Sequence, residues 1–445
     1  MTKGNPVPLM LRFMLPLLLG NIFQQLYNMA DTIIVGRFVG SGALAAVGST
    51  GTIMFLINGF AQGITSGFSV LTAQYFGAGD KEGMKRSVGN GMTLAFLITA
   101  VMTLLCVLLM KPLLTLMHTP ADIFEDAYTY ISLISYGLFA TVLYNLTSAF
   151  LRAIGNSRVP LYTLLFSAAL NVALDLVLII NVGMGVAGAA VATVISQFLS
   201  GVICFVYIRK NEPLLRAARR DFRLNKRDTK RQLAIGVPMA LQFSITACGT
   251  MIMQTAINYF GSTAIAAYTA ACKLQNILQQ GMVAMGQMSA TYAGQNAGKQ
   301  DFGRIREGVR ASLKIDTVYS LAAAFIMVMI LPNGIRAFFS GDISELLPYA
   351  RIYINISVVF YIPLSFIFIF RNFMQGAGYS LMPMLGGVVE MFARLIFAFL
   401  AIYTHSFVLA CFCDPAAWLF AAVFLAVAYR GVARKMQVAW GYPLH

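Results

Sequence analysis

Charged residues are scarce in this sequence. They form 11% of its 445 residues, whereas a soluble protein carries about 25%. Only three histidines are present, and all six cysteines fall in apolar segments without metal-ligand spacing to a histidine, so we expect buried thiols and no zinc site. The sequence has no GxxxxGK[ST] loop, and its apolar segments contain no HExxH or GxSxG. These absences argue against an ATP-driven protein and against an enzyme, and no cofactor is expected.

What the sequence has in abundance is apolar residues. They form 58% of the chain and give it a mean hydropathy of +0.74. They cluster into runs near the length of about 20 residues that crosses a bilayer core. We predict an all-α integral membrane protein, without a cleaved signal peptide. The twelve predicted spans are 10–36, 45–75, 88–110, 128–151, 159–181, 185–207, 232–259, 264–294, 310–332, 348–371, 381–404 and 409–429.

Positive charge predicts the orientation of these spans. If both termini are cytoplasmic, almost every Lys and Arg falls in a cytoplasmic segment, as the positive-inside rule requires. The exceptions are Arg37, Lys111, Arg336 and Arg351 on the outer side and Lys273 and Arg394 within spans. The net charge of +15 is therefore a topology signal, and it does not favour nucleic-acid binding. We expect a multi-pass protein of the cell inner (plasma) membrane.

The chain repeats itself after about 221 residues. FVGSGALAA at 38–46 returns as FGSTAIAA at 260–267, AQYFGAGD at 73–80 as GQNAGKQD at 294–301, and FLRAIGNSRVP at 150–160 as FMQGAGYSLMP at 373–383. Six spans per half place both halves in the membrane in the same direction. We therefore predict two six-helix lobes related by a pseudo-two-fold axis along the membrane normal, which is a common design for a transporter.

A basic linker separates the two predicted lobes. The linker, 209–231, carries ten Lys and Arg residues and joins span 6 to span 7. Such a segment is typical of a tether at the anionic inner leaflet. The predicted domains are an N-lobe at 1–208, this linker, and a C-lobe at 232–445 with a short cytoplasmic tail.

Placing a charged side chain inside a membrane costs roughly 3 kcal/mol or more of free energy. Ionisable residues within spans are therefore candidates for a functional role. Span 1 carries Asp31 on one helical face, and span 5 carries Asp175 four residues after Asn171. Oxygen atoms from Asp31, Asn171, Asp175 and Thr193 are predicted to bind a proton or a sodium ion, and the sequence leaves that choice open. The polar network predicted beside them comprises Gln24, Tyr27, Asn28 and Gln197.

The second half carries a different set of charges. Glu390 and Arg394 are four residues apart in span 11, and Lys273 lies at a similar depth in span 8. These three form either a structural ion-pair cluster or a site for cationic substrate. Asp316 and Asp414 lie near the ends of their spans and are expected at the membrane interface.

These residues resemble the multidrug and toxic compound extrusion (MATE) family. The resemblance covers about residues 5–435 and is carried by LYNMADTIIVG in span 1, by the twin loops FLRAIGNSRVP and FMQGAGYSLMP, and by Asn171 with Asp175. It implies a V-shaped pair of six-helix lobes. It also implies alternating-access export of organic cations or other xenobiotics against inward flow of protons or sodium.

The resemblance also implies a site. In prokaryotic branches with an N-lobe cation site, the ligands match Asp31, Asn171, Asp175 and Thr193, with Gln24 and Tyr27 in their network. Branches with a C-lobe acidic site place a glutamate in span 7, where this chain has Gln242, Ser244 and Thr246, so we expect the N-lobe site. The expected partners are small organic cations and membrane lipids, with no obligate protein partner. The alternative is a flippase for a lipid-linked precursor, which would need Lys and Arg clustered to hold phosphates.

Overall fold

A computed structural model of the protein describes residues 1–117, 119–338 and 343–443. These residues are almost entirely helical and contain no β-strand. The helices of the first half are α1 (Pro6–Phe38), α2 (Ser41–Ser49), α3 (Gly51–Ala78), α4 (Lys81–Leu116), α5 (Ala121–Tyr136), α6 (Leu138–Ala153), α7 (Arg158–Asp175) and α8 (Gly185–Asn211). Those of the second half are α9 (Lys226–Asn258), α10 (Ser262–Gly298), α11 (Phe302–Phe338), α12 (Leu346–Val359), α13 (Tyr361–Gly376), α14 (Leu381–Tyr403), α15 (Phe407–Cys411) and α16 (Cys413–Ala439).

The twelve predicted spans are confirmed as helical segments. Among the described residues, nine helices are long and apolar enough to cross a membrane, and the pairs α5–α6 and α12–α13 each form one more span with a bend of 46° and 51°. The remaining span is α10, whose 37 residues are long enough to cross but include several glutamines. The resulting protein is a multi-pass membrane protein with two six-helix lobes.

The chain packs as two units. The N-terminal unit is Leu19–Ala240, and the C-terminal unit combines Met1–Leu18 with Leu241–His445. The division therefore falls within α1 and within α9. Each unit buries its own apolar clusters: Phe68, Phe150 and Ile131 belong to one in the N-terminal unit, and Met10 and Met285 to one in the C-terminal unit.

The internal repeat is reproduced by the backbone. Gly155, in the first copy of the twin loop motif, has φ of +93°, and Gly378, in the second copy, has φ of +94°. A residue with a side chain rarely adopts this left-handed conformation, which explains glycine at both positions. The two copies therefore end their helices with the same turn.

The linker is folded against the N-terminal unit. It contains a 3₁₀ turn at Arg219–Phe222, and the carboxylate of Asp228, at its end, is fully buried. Arg86 Nε of α4 donates to Asp228 Oδ2 at 2.6 Å, and the hydroxyl of Tyr75 donates to Oδ1 at 2.7 Å. The buried carboxylate is thus paired and hydrogen-bonded, the condition under which a buried charge is tolerated.

A close helix crossing in the N-terminal unit gives a testable prediction. A methyl group at Gly67 of α3 would lie 2.3 Å from the Cα of Gly236 in α9. The added methyl group would force the two helix backbones apart. We therefore expect Gly67→Ala to lower the free energy of unfolding by about 1–3 kcal/mol. Thermal unfolding in detergent measures this.

The matched control for Gly67 is Gly48, a helical glycine with open space around its Cβ position. Alanine there is expected to be neutral or to stabilise by up to about 1 kcal/mol. Equal unfolding temperatures for Gly67→Ala and Gly48→Ala would contradict the close crossing.

Candidate functional site

Two carboxyl groups meet inside the N-terminal unit. Asp31 lies on α1, and Asp175 is the last residue of α7, where the helix passes into a π-helical turn at Leu176–Asn181. The carboxyl groups of Asp31 and Asp175 face each other closely enough to interact. A π turn shifts the helical register locally and is frequent at functional sites. The sequence pattern predicted the two aspartates but not this change in helix geometry.

Amide and hydroxyl groups surround this carboxyl pair. Oriented so that both ends of its amide are satisfied, Asn171 donates to Asp175 Oδ2 at 3.0 Å and accepts from the backbone N–H of Thr193 at 3.2 Å. The hydroxyl of Tyr27 lies beside the Thr193 side chain. The structure therefore brings together the four residues predicted as ion ligands, with Tyr27 beside them.

No positive charge balances this pair. Among the described residues no Lys or Arg forms an ion pair with Asp31 or Asp175, and Arg37, the nearest cation along α1, is exposed. One oxygen of each carboxyl, Oδ1, is buried without a hydrogen-bond partner. Two carboxylates held this close repel each other, so such a pair favours uptake of a proton.

Three residues of the predicted polar network do not bond to the pair. Gln24 and Asn28 are exposed on α1, and the side chain of Gln197 accepts a hydrogen bond from the hydroxyl of Thr141. One residue that the pattern missed is Tyr130 on α5, which is buried and interacts electrostatically with Asp31. The sequence around Tyr130 did not indicate this role, because Tyr130 and Asp31 lie on different helices and come together only through tertiary packing.

The C-terminal unit contains a buried network of four charges. Arg371 Nη2 donates to Glu390 Oε1, Arg394 Nη1 lies 3.6 Å from Glu390 Oε2, and Arg394 Nε donates to Asp414 Oδ1 at 2.8 Å. Gly249 on α9 leaves room for the Arg394 guanidinium, since a Cβ there would lie 2.8 Å from its Nη1. Two arginines and two carboxylates balance to zero, so each buried charge has an opposite partner.

This network corrects three expectations about the second half. Asp414 was expected at the interface, but its carboxylate is mostly buried and bonded to Arg394. Arg371 ends the predicted tenth span, at its cytoplasmic side, yet it is buried within α13 because the span continues to Gly376. Lys273 does not join the network: its Nζ lies 5.9 Å from the ring centre of Phe338.

Asp316, predicted at the membrane interface, is buried between helices. It is 1% exposed, within α11, and neither of its carboxyl oxygens has a hydrogen-bond partner. In span 7 the polar residues are engaged locally: Gln242 accepts from Gln375 at 2.7 Å, and Thr246 donates to the Gln242 carbonyl at 2.9 Å. The described residues contain no cluster of three or more His, Cys, Asp or Glu that could hold a metal ion.

Comparison with known proteins places this arrangement in a family. The family model named MatE matches residues 16–177 and 238–422, most of both halves. The chain belongs to the MATE family. Among relatives, it is 30% identical over 334 residues to the probable multidrug resistance protein YoeA of Bacillus subtilis (strain 168), covering 74% of this chain and 72% of that protein.

Other relatives and solved structures extend the MATE comparison. The chain is 23% identical over 403 residues to the probable multidrug resistance protein NorM of Thermotoga maritima, covering 88% of this chain and 85% of that protein. A crystal structure of MATE in complex with MaL6 superposes with a TM-score of 0.91 at 21% identity and covers 98% of both chains. Members of the MATE family are transporters, so this protein is a membrane transporter and not an enzyme.

The charge network is either a structural ion-pair cluster or a site for cationic substrate, and one substitution distinguishes the two. Removing one partner of a buried ion network leaves a charge unpaired, and we expect Glu390→Gln to lower the free energy of unfolding by about 3–5 kcal/mol. Chemical denaturation in detergent measures the loss. Glu125→Gln, at an exposed acid on α5, is the control and should change stability little. Unaltered stability of Glu390→Gln with lost substrate binding would instead assign Glu390 to the substrate.

Proposed function

We propose that this MATE protein is a multidrug efflux transporter that exchanges amphipathic organic cations for protons at the Asp31–Asp175 pair. The observation that carries the proposal is the contact between two membrane-embedded carboxyl groups with no cation beside them. Such a pair must take up a proton to remain buried and becomes negative when it releases one. The multidrug resistance names of its relatives support export of foreign compounds.

The exchange follows from the charge of the pair. A protonated pair is close to neutral and is compatible with the packed arrangement of α1, α7 and α8. Loss of protons leaves like charges in contact, which favours a different arrangement of α1 and attracts a cation. Because the proton and the cationic substrate are stabilised by the same carboxylates, binding of one opposes binding of the other, and this reciprocity couples the two flows. Gln24, Tyr27 and Asn28, on the same face of α1 as Asp31, are proposed to contact the substrate.

The membrane potential adds to this exchange. With both termini cytoplasmic and the interior negative, each proton that enters gains about 2.3 kcal/mol per 100 mV. Sodium is the alternative coupling ion. The oxygen atoms of Asp31, Asn171, Asp175 and Thr193 could ligate it, but two adjoining carboxyl groups that form no ion pair among the described residues favour a proton.

A lipid-linked precursor flippase is less well supported. It would need free Lys and Arg side chains within the spans to hold phosphate groups. In the described residues the embedded arginines Arg371 and Arg394 are already paired with Glu390 and Asp414, and Lys273 alone is not a cluster of cations.

The experiment is ethidium transport by the full chain in proteoliposomes, with proton and sodium gradients imposed separately. We expect the wild type to transport ethidium under the proton gradient and not under sodium alone. Asp31→Asn and Asp175→Asn each remove a titrating group without changing side-chain size, so transport should fall to the level of empty vesicles. Asp122→Asn, at an exposed acid on α5, should transport like the wild type.

Each alternative predicts a distinct outcome. Transport driven by sodium and lost in the same two variants would keep the site and replace the ion. Proton-driven transport that persists in both variants would contradict the assignment of the carboxyl pair. Absence of ethidium transport under either gradient would contradict the export of organic cations.

A further inference from the structure

A third unpaired carboxyl lies in the C-terminal unit, apart from both sites described above. Asp316 occurs midway along the buried face of α11, where Ser312 precedes it by four residues and Ser320 follows it by four. All three side chains are buried, with exposures of 1% or less. Helix α11 packs against α10, α12 and α13, and the Ser312 hydroxyl donates to Met10 Sδ of α1 at 3.7 Å.

Both oxygens of Asp316 lack a partner. Neither accepts a hydrogen bond, and no ion pair among the described residues includes this side chain. The hydroxyl of Ser320, one turn along, is also buried and unpartnered. An ionised carboxylate without a donor or a cation is among the most costly groups to bury. A neutral carboxylic acid removes most of that cost.

The neighbouring titratable and charged groups are engaged elsewhere or do not pair with Asp316. Tyr319, the residue that interacts with it electrostatically, donates its own proton to the carbonyl of Leu278 at 2.6 Å. Arg371 is held by Glu390, and Tyr292 donates to the Arg304 carbonyl. The titratable and charged residues on α10, α12 and α13 are Tyr268, Cys272, Lys273 and Tyr292 on α10, Tyr349, Arg351 and Tyr353 on α12, and Tyr361 and Arg371 on α13. The part of α1 that belongs to the C-terminal unit carries Arg12, which is exposed.

The internal repeat shows that the equivalent helix of the first half has no acidic residue at the position of Asp316. The residue 221 positions earlier, in α4, is Ala95, and it is also buried. The first copy of the repeat therefore fills the equivalent helix position with a methyl group. A buried aspartate that makes no hydrogen bond or ion pair, at a position where the other half has a small apolar residue, lowers stability, and such a residue is typical of function.

We propose that Asp316 is a second proton-binding residue, which holds a proton while α11 is packed as described and releases it when water reaches the site. A proton fits better than a metal ion, because hard cations take six or more oxygen ligands, whereas this site offers one carboxyl group and serine hydroxyls one turn away. The proposal extends the proposed function, since it adds a proton site in the C-terminal unit to the pair in the N-terminal unit. The protonation state of Asp316 can nevertheless be measured without a transport assay.

The experiment is infrared spectroscopy of the full chain in lipid, in a background that carries Asp31→Asn and Asp175→Asn. This background removes the carboxyl pair, so that failure of the proposed function and failure of this inference are distinguishable. We expect a carbonyl band of a protonated carboxylic acid at neutral pH that is lost on adding Asp316→Asn and equally on adding Asp316→Ala, the residue present in the first repeat. The band should decline as the pH is raised while the protein remains folded.

A second measurement uses the wild type and so does not depend on folding of the variants. Dicyclohexylcarbodiimide, an apolar reagent, modifies protonated carboxyl groups within membranes, and peptide mass analysis locates the adduct. We expect an adduct at Asp316 that diminishes at alkaline pH. A band that Asp316→Asn leaves unchanged, together with no adduct, would show an ionised side chain and overturn the proposal. A band that persists unchanged at every pH would show a permanently neutral structural acid and would also overturn it.

The stability of the Asp316 variants provides an independent criterion. Because Asp316 makes no hydrogen bond, Asp316→Ala should unfold at the same temperature as the parent or at a higher one. A large fall in unfolding temperature would mean that the carboxyl group makes essential structural contacts, and it would contradict the unpartnered site.

Discussion

The cost of placing charge inside a membrane governs the polar residues of this protein. An ionisable side chain remains buried only if it is paired with an opposite charge or made neutral by a proton. Among the described residues, Arg371, Glu390 and Arg394, with Asp414, neutralise one another. The aspartates at 31, 175 and 316 form no ion pair there, and we propose that protons neutralise them.

These two solutions have different consequences. A balanced network has no net charge, and its ion pairs connect α13, α14 and α16 of the C-terminal unit. An unpaired carboxyl instead has two states that differ by a full charge, and each state favours a different packing of its helix. Ion-coupled transport needs groups of the second kind, because only a change in binding between two arrangements can drive movement. We therefore assign a structural role to the paired charges and propose that the unpaired carboxyls carry protons.

Sequence patterns were sufficient for the span architecture and for the residues of the carboxyl pair. Runs of apolar residues and a 221-residue repeat predict twelve spans, and Asn171 and Asp175 share a face because they are four residues apart in one helix. Arg371 and Asp414 could not be predicted, since their partners lie on other helices. Asp316 was placed at the interface because its distance along the span was read from residue number, which does not show that α11 buries this face.

The central claim is that the Asp31–Asp175 pair holds a proton which the substrate displaces. The most direct measurement is proton release from the detergent-solubilised protein in weakly buffered solution, followed with a pH-indicator dye as ethidium is added. The account predicts that the wild type releases protons in proportion to bound ethidium and that Asp175→Asn does not. Binding of ethidium to the wild type without any proton release would contradict it.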